Sequence, residues 1–467
     1  MRKIIDIARL AFLLLPVLAA AQTSSGEMPA DTLSVPNLRQ AFTKGEYGGT
    51  FRSFFMSTDN KSGLSDYYAW AAGGSLRFQT ATFHGFQMGI GGMFNFNLAS
   101  SDLSKKDAAT GAVNRYEIGL FDVEDPANKN DLDRMDEFWL RYRWQKTRLT
   151  VGKQTLQTPF INAQDGRMRP TTEAACWLES GPWRNARLEG GWIWKISPRS
   201  TVRWYDIGTS IGLYPRGLNP DGTASGYAEN LQSKGIAILG ITQKINNKTR
   251  VQVWDQFVEN IFNTAFIQLD FKQALGNGHT FLAGAQALHQ NAVSDGGNPD
   301  ASKSYFQKNG KSSAISTQIG WQKGGWQVLG AYTHITDEGR FLSPREWGRE
   351  PFYTFMSRER VEGSGRLDAL TLRTNWTSPA KRWNLGLAGG YFSLPDVREV
   401  SLNKYAFPSF YQINADLRYS FRGQLEGLRV QALYVYKGKV GDTYGNDKLV
   451  INRVDLSHFN LILNYSY

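Results

Sequence analysis

The strongest constraint on the fold is a strict alternation of side-chain types in residues 459–467. Successive side chains of a β-strand point to opposite faces, so alternation in sequence becomes two chemically different faces. One face of this segment is apolar or aromatic and the other is mostly polar, which predicts an amphipathic β-strand. The apolar positions are Phe459, Leu461, Leu463, Tyr465 and Tyr467, and the intervening positions are Asn460, Ile462, Asn464 and Ser466.

Similar segments recur upstream and are joined as hairpins. Residues 412–421 lead through a turn at 422–427 into 430–436, and residues 370–376 lead through 377–382 into 383–391. Consecutive hairpins predict an antiparallel meander. Counting such segments predicts eighteen strands, an even number, as single-chain bacterial membrane barrels require. They are placed near residues 47, 67, 84, 136, 147, 185, 200, 234, 248, 264, 279, 311, 326, 366, 383, 410, 428 and 453.

The connections between the predicted strands alternate between short and long. Residues 145–147, 245–248 and 323–325 are tight turns. Short turns at one end of the barrel and long loops at the other are the asymmetry expected of an outer-membrane barrel. The long loops are predicted at 96–135, 155–184, 208–233, 290–310, 336–365, 393–409 and 438–452.

Composition supports a barrel rather than a helical membrane protein. Beyond the N-terminal region the chain has no apolar segment long enough to span a membrane as a helix, yet aromatic residues make up 13% and glycines number 47. In a membrane barrel only alternate strand residues face lipid, so the average hydropathy stays polar. Aromatic residues near strand ends predict interfacial girdles, for example Trp326, Trp376, Trp383, Tyr419, Phe421 and Tyr467.

The N-terminus has the pattern of a secretory signal peptide. Arg2, Lys3 and Arg9 precede an apolar run at residues 10–20, and a run of alanines ends at Ala21. We predict a signal peptide at 1–21, a short periplasmic segment at 22–46 and a barrel at 47–467, located in the bacterial outer membrane. Removing three basic residues and one acidic residue with the signal lowers the net charge from +11 to +9. Export argues against nucleic acid as a partner of this basic chain.

Arginine dominates the polar, lumen-facing positions of the predicted strands. A row of guanidinium groups in a narrow channel would attract carboxylates and repel free cations. The alternative is that individual arginines pair with lumen acids such as Glu189, Asp270 and Asp416 to hold the wall together, and the sequence leaves both readings open. The predicted lumen arginines are Arg52, Arg77, Arg141, Arg143, Arg203, Arg250, Arg373, Arg418 and Arg429.

Four segments resemble the OprD-type porins, a family of substrate-specific outer-membrane channels. They are YYAWAAGGSLRF at 67–78, FHGFQMGIGG at 83–92, VGKQTLQTPF at 151–160 and TPFINAQDGRMRPTTEAACW at 158–177. The resemblance implies an all-β, 18-stranded barrel in which the loop at 155–184 folds inward and constricts the pore. It also implies a ladder of lumen arginines that conducts carboxylate-bearing solutes. The constriction residues carried over by position are Asp165, Arg167, Met168, Arg169 and Pro170, and we add Glu173.

The chemistry of the 155–184 loop fits that role. Pro159 and Pro170 restrict the backbone, Gly166 permits a sharp turn, and an acid lies beside two arginines. Such a mixture would set up a transverse field across a pore. The same groups could instead pin the loop to the wall, and the sequence does not distinguish the two roles.

The predicted function is passive, selective diffusion of small polar solutes such as amino acids, small peptides and organic acids, with no cofactor and no metal. The alternatives are a barrel enzyme such as a hydrolase, a surface-binding or adhesive barrel, and an energy-coupled transporter. The terminal strand resembles the signal read by the barrel assembly machinery, and outer-membrane lipids are further partners. A monomer and a homotrimer both stay open. The five histidines, at 84, 279, 289, 334 and 458, lack metal-ligand spacing, and Cys176 is alone.

Overall fold

The computed structural model describes residues 34–164 and 166–467. The predicted signal peptide at 1–21, the first part of the predicted periplasmic segment and Asp165 lie outside the described residues. Periodic alternation in the sequence becomes a closed antiparallel sheet of eighteen long strands. They are β1 Glu46–Asp59, β2 Tyr67–Gln79, β3 Phe86–Ser100, β4 Arg134–Trp144, β5 Thr147–Gln154, β6 Thr172–Trp183, β7 Ala186–Ser197, β8 Ile236–Lys244, β9 Thr249–Val258, β10 Phe262–Gly276, β11 His279–Ala292, β12 Lys311–Lys323, β13 Trp326–Ile335, β14 Leu367–Thr377, β15 Trp383–Ser393, β16 Phe410–Ser420, β17 Leu428–Lys439 and β18 Leu456–Ser466.

The sheet closes between its first and last strands. β1 pairs with β18 from Thr50↔Ser466 to Asp59↔Ser457, and on its other edge β1 pairs with β2. Every neighbouring pair is antiparallel and follows chain order. The terminal alternating segment is therefore the closing strand of a barrel, as its pattern predicts.

Two predicted features of the wall are wrong. The strand expected near residue 200 is absent, because Arg134 donates to the carbonyls of Ser197, Pro198 and Thr201, which a strand would pair with its neighbour. Thr172–Trp183, predicted to be loop, is instead the strand β6. The two errors cancel in the strand count, and all other predicted positions lie on or near an observed strand.

The connections differ strongly between the two ends of the barrel. Tight turns join the strands at one end, and by the usual asymmetry this is the periplasmic end. The opposite, external end carries the long loops predicted from the sequence, although the loop after β5 ends at residue 171. We number the external connections L1 60–66, L2 101–133, L3 155–171, L4 198–235, L5 259–261, L6 293–310, L7 336–366, L8 394–409 and L9 440–455.

Helical segments are short and lie outside the wall. None of the described helices is long and apolar enough to cross a membrane. A two-residue strand, Tyr205–Asp206, pairs in antiparallel orientation with the end of β7. The α-helices are α1 Leu38–Thr43 and α2 Ile207–Ser210, and the 3₁₀ segments are Glu117–Leu120, Ala301–Lys303, Gly423–Leu425 and Asp447–Leu449.

Aromatic rings line the outer face near the periplasmic end. Trp326 and Trp376 lie on paired strands with ring centroids 6.2 Å apart. Trp383 and Tyr419 lie 4.4 Å apart, and Phe421 continues from Tyr419 at 4.8 Å. These rings form the girdle expected where a barrel meets the headgroup layer.

The external half of the lumen is filled by packed loops. One hydrophobic core joins residues of L3, L4, L6, L7 and L8 with the inner faces of several strands. Trp347 of L7 lies in it at 1% exposure, and its indole N–H donates to Ser210 Oγ of L4 at 2.8 Å. The loops therefore form a packed layer whose position is fixed by burial.

Deleting Tyr465–Tyr467 should prevent stable barrel closure. The deletion removes the Phe51↔Tyr465 and Thr50↔Ser466 pairs, and unpaired strand edges are not tolerated in hydrocarbon. We expect heat-modifiable barrel in the membrane to fall by about tenfold or more while export continues. Tyr467→Phe is the control because it keeps the ring and the backbone pairing. A normal amount of heat-modifiable barrel after the deletion would contradict this assembly role.

Candidate functional site

L3 is held against L7 through main-chain groups of L7. Asn162 donates from Nδ2 to the Arg349 carbonyl at 3.1 Å and accepts from the Arg349 N–H at 3.2 Å. Its own N–H donates to the Trp347 carbonyl at 3.2 Å, and Gln164 Nε2 donates to the Arg345 carbonyl at 3.1 Å. L3 and L7 are therefore joined by several hydrogen bonds and pack together as one unit.

The tip of L3 also reaches the inner wall. Arg52 of β1 donates from Nη1 to the carbonyl of Arg167 at 2.5 Å and from Nε to Asn464 of β18 at 2.6 Å. Arg358 of L7 bridges the Gly166 carbonyl at 3.2 Å and Asn460 Oδ1 of β18 at 2.7 Å. Both arginines thus tie L3 to the seam where the barrel closes.

The two arginines predicted at the constriction have different environments. Arg169 is 2% exposed and donates to the Leu132 carbonyl at 2.6 Å, which fastens L3 to L2. Burial, then the charge of Arg134, lowers the pKa of Arg169 to about 10. Burial, then Arg358, lowers the pKa of Arg167 to about 9. Both arginines therefore stay cationic at neutral pH.

Glu173 lies on a strand and not on the loop. It belongs to β6, is fully buried, and accepts the Leu156 N–H at 2.8 Å. The carboxylate thereby fixes the first residues of L3. At the other end of L3, Arg134 Nη2 donates to the Pro170 carbonyl at 2.7 Å.

Four arginines converge around Gln164 and Gly166 of L3. Besides Arg167 they are Arg199 of L4 and Arg358 and Arg360 of L7. Arg360 donates to the Gln164 side chain, and Arg199 donates to the Gln164 carbonyl at 3.5 Å. A methyl group built on Gly166 would lie 3.3 Å from Arg358 Nη1 and 3.4 Å from Arg199 Nη1. We call these four residues the arginine cluster.

A cavity of about 470 Å³ adjoins L3 and L7 and reaches the wall. Its cationic groups are Arg349, which is exposed, and Arg373 of β14, which donates to the Phe355 carbonyl. The Arg349 guanidinium lies 5.3 Å from the centre of the Phe355 ring. The remaining lining is mixed: Gln157, Thr158, Pro159, Asn162, Ala163, Gln164, Gln318, Glu350, Pro351, Phe352 and Tyr353.

The predicted wall arginines divide into paired and unpaired groups. Arg250 pairs with Asp270 at 2.8 Å and Arg418 pairs with Asp416 at 2.6 Å, so the wall-pairing alternative holds for these two. Arg203 is not on the wall, because it lies in L4 where a strand had been expected. Within 34–164 and 166–467, five other predicted wall arginines form no ion pair with an acid: Arg77, Arg141, Arg143, Arg373 and Arg429.

L7 carries site residues that were not predicted from the sequence. Residues 336–365 were predicted only as a long loop, yet this segment supplies Arg349, Arg358 and Arg360. Its signal was the composition of residues 340–366, which contain six arginines and four glutamates. Because opposite charges can pair with one another, such a mixture allows a charged loop to pack against the rest of the protein.

A buried ionic network joins L2, L7 and the wall. Glu359 of L7 accepts from Lys437 Nζ of β17 at 2.6 Å and from Arg115 Nη2 of L2 at 3.1 Å. Lys437 also donates to Tyr116 Oη at 3.0 Å. Burial alone would raise the pKa of Glu359, but Arg115 and Lys437 outweigh burial and hold it at about 2, below the ordinary 4.5.

A hydroxyl, an imidazole and a carboxylate meet at a second buried position. Thr58 Oγ1 lies 2.8 Å from His458 Nδ1 and donates to Glu117 Oε1 at 2.5 Å. All three residues are at most 1% exposed. Because the hydroxyl is committed to the carboxylate and closed off from solvent, this arrangement fastens L2 to the closing strands. Across the described ranges, no group of three or more His, Cys, Asp or Glu residues could hold a metal ion.

The closed antiparallel sheet and its basic, loop-lined lumen define a transmembrane β-barrel channel. Residues 42–357 match the family described as outer membrane porin, OprD family. The chain therefore belongs to this family of outer-membrane porins.

Relatives and solved structures agree on the architecture. Porin-like protein GalP of Pseudomonas putida is 25% identical over 254 residues, which cover 53% of this chain and 55% of that protein. The chain thus spans about half the length of this curated relative. The crystal structure of OpdK with vanillate from Pseudomonas aeruginosa superposes with a TM-score of 0.71 at 14% identity, covering 91% of this chain and 99% of OpdK. OccAB3 of Acinetobacter baumannii gives 0.69 at 18% identity, covering 91% and 99%.

Glu359→Gln should loosen the junction of L2, L7 and the wall. Lys437 would keep a buried charge without its partner, which costs about 3–5 kcal/mol of stability. The protein in lipid should therefore unfold at a lower urea concentration. Asp447→Asn, which breaks the exposed Lys61–Asp447 pair, is the matched control and should change stability by about 1 kcal/mol or less.

The same variant should remove an acid dependence. A carboxyl whose folded pKa is depressed contributes stability that is fully present above its unfolded pKa, here 4.5, and that is lost as the pH falls towards about 2. The native protein should therefore lose loop stability as the pH falls from 4.5 to about 2. In the same range, the stability of Glu359→Gln should depend less on pH. Parallel pH profiles for the two proteins would exclude Glu359 as the source.

Proposed function

We propose that the protein passes small carboxylate-bearing solutes through a constriction formed jointly by L3 and L7. The observation that carries the proposal is the arginine cluster. Four cationic groups converge on Gln164 and Gly166, and backbone or amide oxygens of these two residues accept a hydrogen bond from each of them. Oriented guanidinium groups in a partly dehydrated passage favour an anion over a cation.

The cavity beside L3 and L7 extends the basic path along the lumen. Arg349 and Arg373 both line it, so a carboxylate leaving the arginine cluster meets a second pair of guanidiniums. Their fork geometry suits bidentate binding of a carboxylate. Because the steps between such sites are short, each site need bind the solute only weakly for conduction.

The wall continues this path towards the periplasmic end. Arg429 of β17, which forms no ion pair with an acid among the described residues, lies opposite Asn464 of β18. Arg52 of β1 lies on the other side of Asn464 and donates to the Asn464 side chain and to the Arg167 carbonyl. Arg418 and Arg250 contribute less to the field because Asp416 and Asp270 neutralise them.

Aromatic rings in the same cavity favour a solute that carries a ring. Phe355 lies next to both guanidiniums, and Phe352 also lines the cavity. OpdK, which shares the fold, was crystallised with vanillate, an aromatic carboxylate. We therefore expect small aromatic or cyclic acids to block this channel more strongly than aliphatic acids of equal charge.

Arg349→Gln tests the charge selectivity directly. L3 is bound through the main chain of Arg349, so the substitution removes the exposed guanidinium and keeps the L3–L7 contact. In planar bilayers under a salt gradient, we expect the anion-to-cation permeability ratio to fall about fivefold, the equivalent of roughly 1 kcal/mol of lost attraction. Lys308→Gln in L6, an equal charge change at an exposed external position, should leave the ratio unchanged. An unaltered ratio in Arg349→Gln would refute the proposed path.

Arg167→Gln and Arg169→Gln should separate filtering from anchoring. Arg169 binds the Leu132 carbonyl, so its loss should free L3 from L2 and increase the open-channel noise and conductance. Loss of Arg167 should mainly reduce anion preference, because its charge belongs to the arginine cluster. Single-channel traces and reversal potentials distinguish these results, and identical effects of both variants would contradict the division of roles.

A further inference from the structure

The residues just before β1 form a helix whose apolar face is left uncovered by the barrel. In α1, Asn37 Oδ1 accepts the Gln40 N–H at 2.9 Å, which caps the first turn. Leu38 and Phe42 lie four residues apart and therefore on one face of the helix. Leu38 is 59% exposed and Phe42 is 44% exposed. Among residues 34–164 and 166–467, therefore, no contact buries this face.

The opposite side of the segment is firmly attached to the barrel. Val35 and Ala41 are buried against Ala81 of the first periplasmic turn. The Ala81 N–H donates to the Ala41 carbonyl at 2.9 Å, and the Val35 N–H donates to the Thr82 carbonyl at 2.9 Å. The uncovered face thus has a fixed position and is not a consequence of a loose terminus.

The uncovered face continues the lipid-facing girdle. The Phe42 ring lies 6.3 Å from the ring of Phe78, and Phe78 lies 4.7 Å from Tyr47. Tyr47 and Phe78 point outward from paired positions of β1 and β2 at the periplasmic end, where the aromatic girdle meets the headgroups. Phe42 extends that row of rings, so Leu38 and Phe42 lie at the level of the membrane interface.

The charges of the segment suit anionic headgroups. Arg39 and Lys44 are both exposed, and residues 34–45 contain no acidic residue. An apolar face beside basic side chains is the pattern of an interfacial helix that dips its apolar side into the headgroup boundary and attracts anionic lipid.

We propose that α1 is an interfacial anchor that inserts Leu38 and Phe42 into the periplasmic leaflet and binds anionic phospholipid headgroups through Arg39 and Lys44. The occupant of the uncovered face is lipid, since that face is continuous with the lipid-facing girdle. The anchor would fix the periplasmic rim around the first turn, and this role is independent of solute selectivity.

The test uses the full-length mature protein carrying Cys176→Ala, with Leu38→Cys labelled by an environment-sensitive fluorophore. The protein is reconstituted in phosphatidylcholine vesicles with or without about one third phosphatidylglycerol. Asn247→Cys, at the tip of an exposed periplasmic turn, is the matched aqueous position. We expect lipid-borne quenchers to act at least about threefold more strongly on the label at position 38 than on the label at position 247.

Phosphatidylglycerol should strengthen that quenching, and Arg39→Gln with Lys44→Gln should abolish the increase. A label at position 38 that is as accessible to aqueous iodide as the one at position 247 would overturn the proposal and favour a periplasmic protein on this face. Equal quenching in both lipid compositions would overturn the assignment of Arg39 and Lys44 to anionic headgroups. Heat-modifiable mobility of each labelled variant verifies that the barrel is folded.

Discussion

The structure depends first on the requirement that backbone groups within lipid find partners inside the protein. No water competes for them in the hydrocarbon layer, so an open sheet edge would leave a row of unpaired amides and carbonyls. The pairing of β1 with β18 removes that edge. Once the sheet closes, its inner face encloses a lumen, and the long loops must either leave the lumen open or fill part of it.

Loops that fill the lumen have carbonyl groups that lose contact with water and need hydrogen-bond donors within the protein. In this chain, arginine side chains supply many of these donors. Arg134 serves the carbonyls of Ser197, Pro198 and Thr201, and Arg340 serves those of Leu218, Ser401 and Val400. One guanidinium has five donors in a rigid fork and can satisfy several carbonyls at once. Arginine is therefore a structural clamp in one place and a carrier of lumen charge in another, and residue type alone does not separate the two uses.

This dual use limits which features of the fold and of the site could be predicted from the sequence. Alternation with a period of two identified the strands and their faces, since it follows directly from the pleat. It failed at β6, whose run of small residues follows the loop motif without a break, and at residues 198–204, where Arg134 captures the carbonyls. The positions of Arg167 and Arg169 were predictable from the loop motif, whereas the contribution of L7 depends on pairing across about 180 residues. Likewise, nothing local to Lys404 indicates that its ammonium lies among the rings of Tyr227, Tyr305 and Tyr405.

L7 separates its anchoring residues from its exposed ones over very short distances. Glu346, Trp347 and Glu350 are buried, while Arg349 between them is exposed to the cavity and holds L3 only through its main chain. A substitution at position 349 can therefore change the charge that faces the cavity without disturbing the packing that keeps the loop in place. Related channels could therefore vary the side chains that line this cavity one at a time while they keep the same packed external loops.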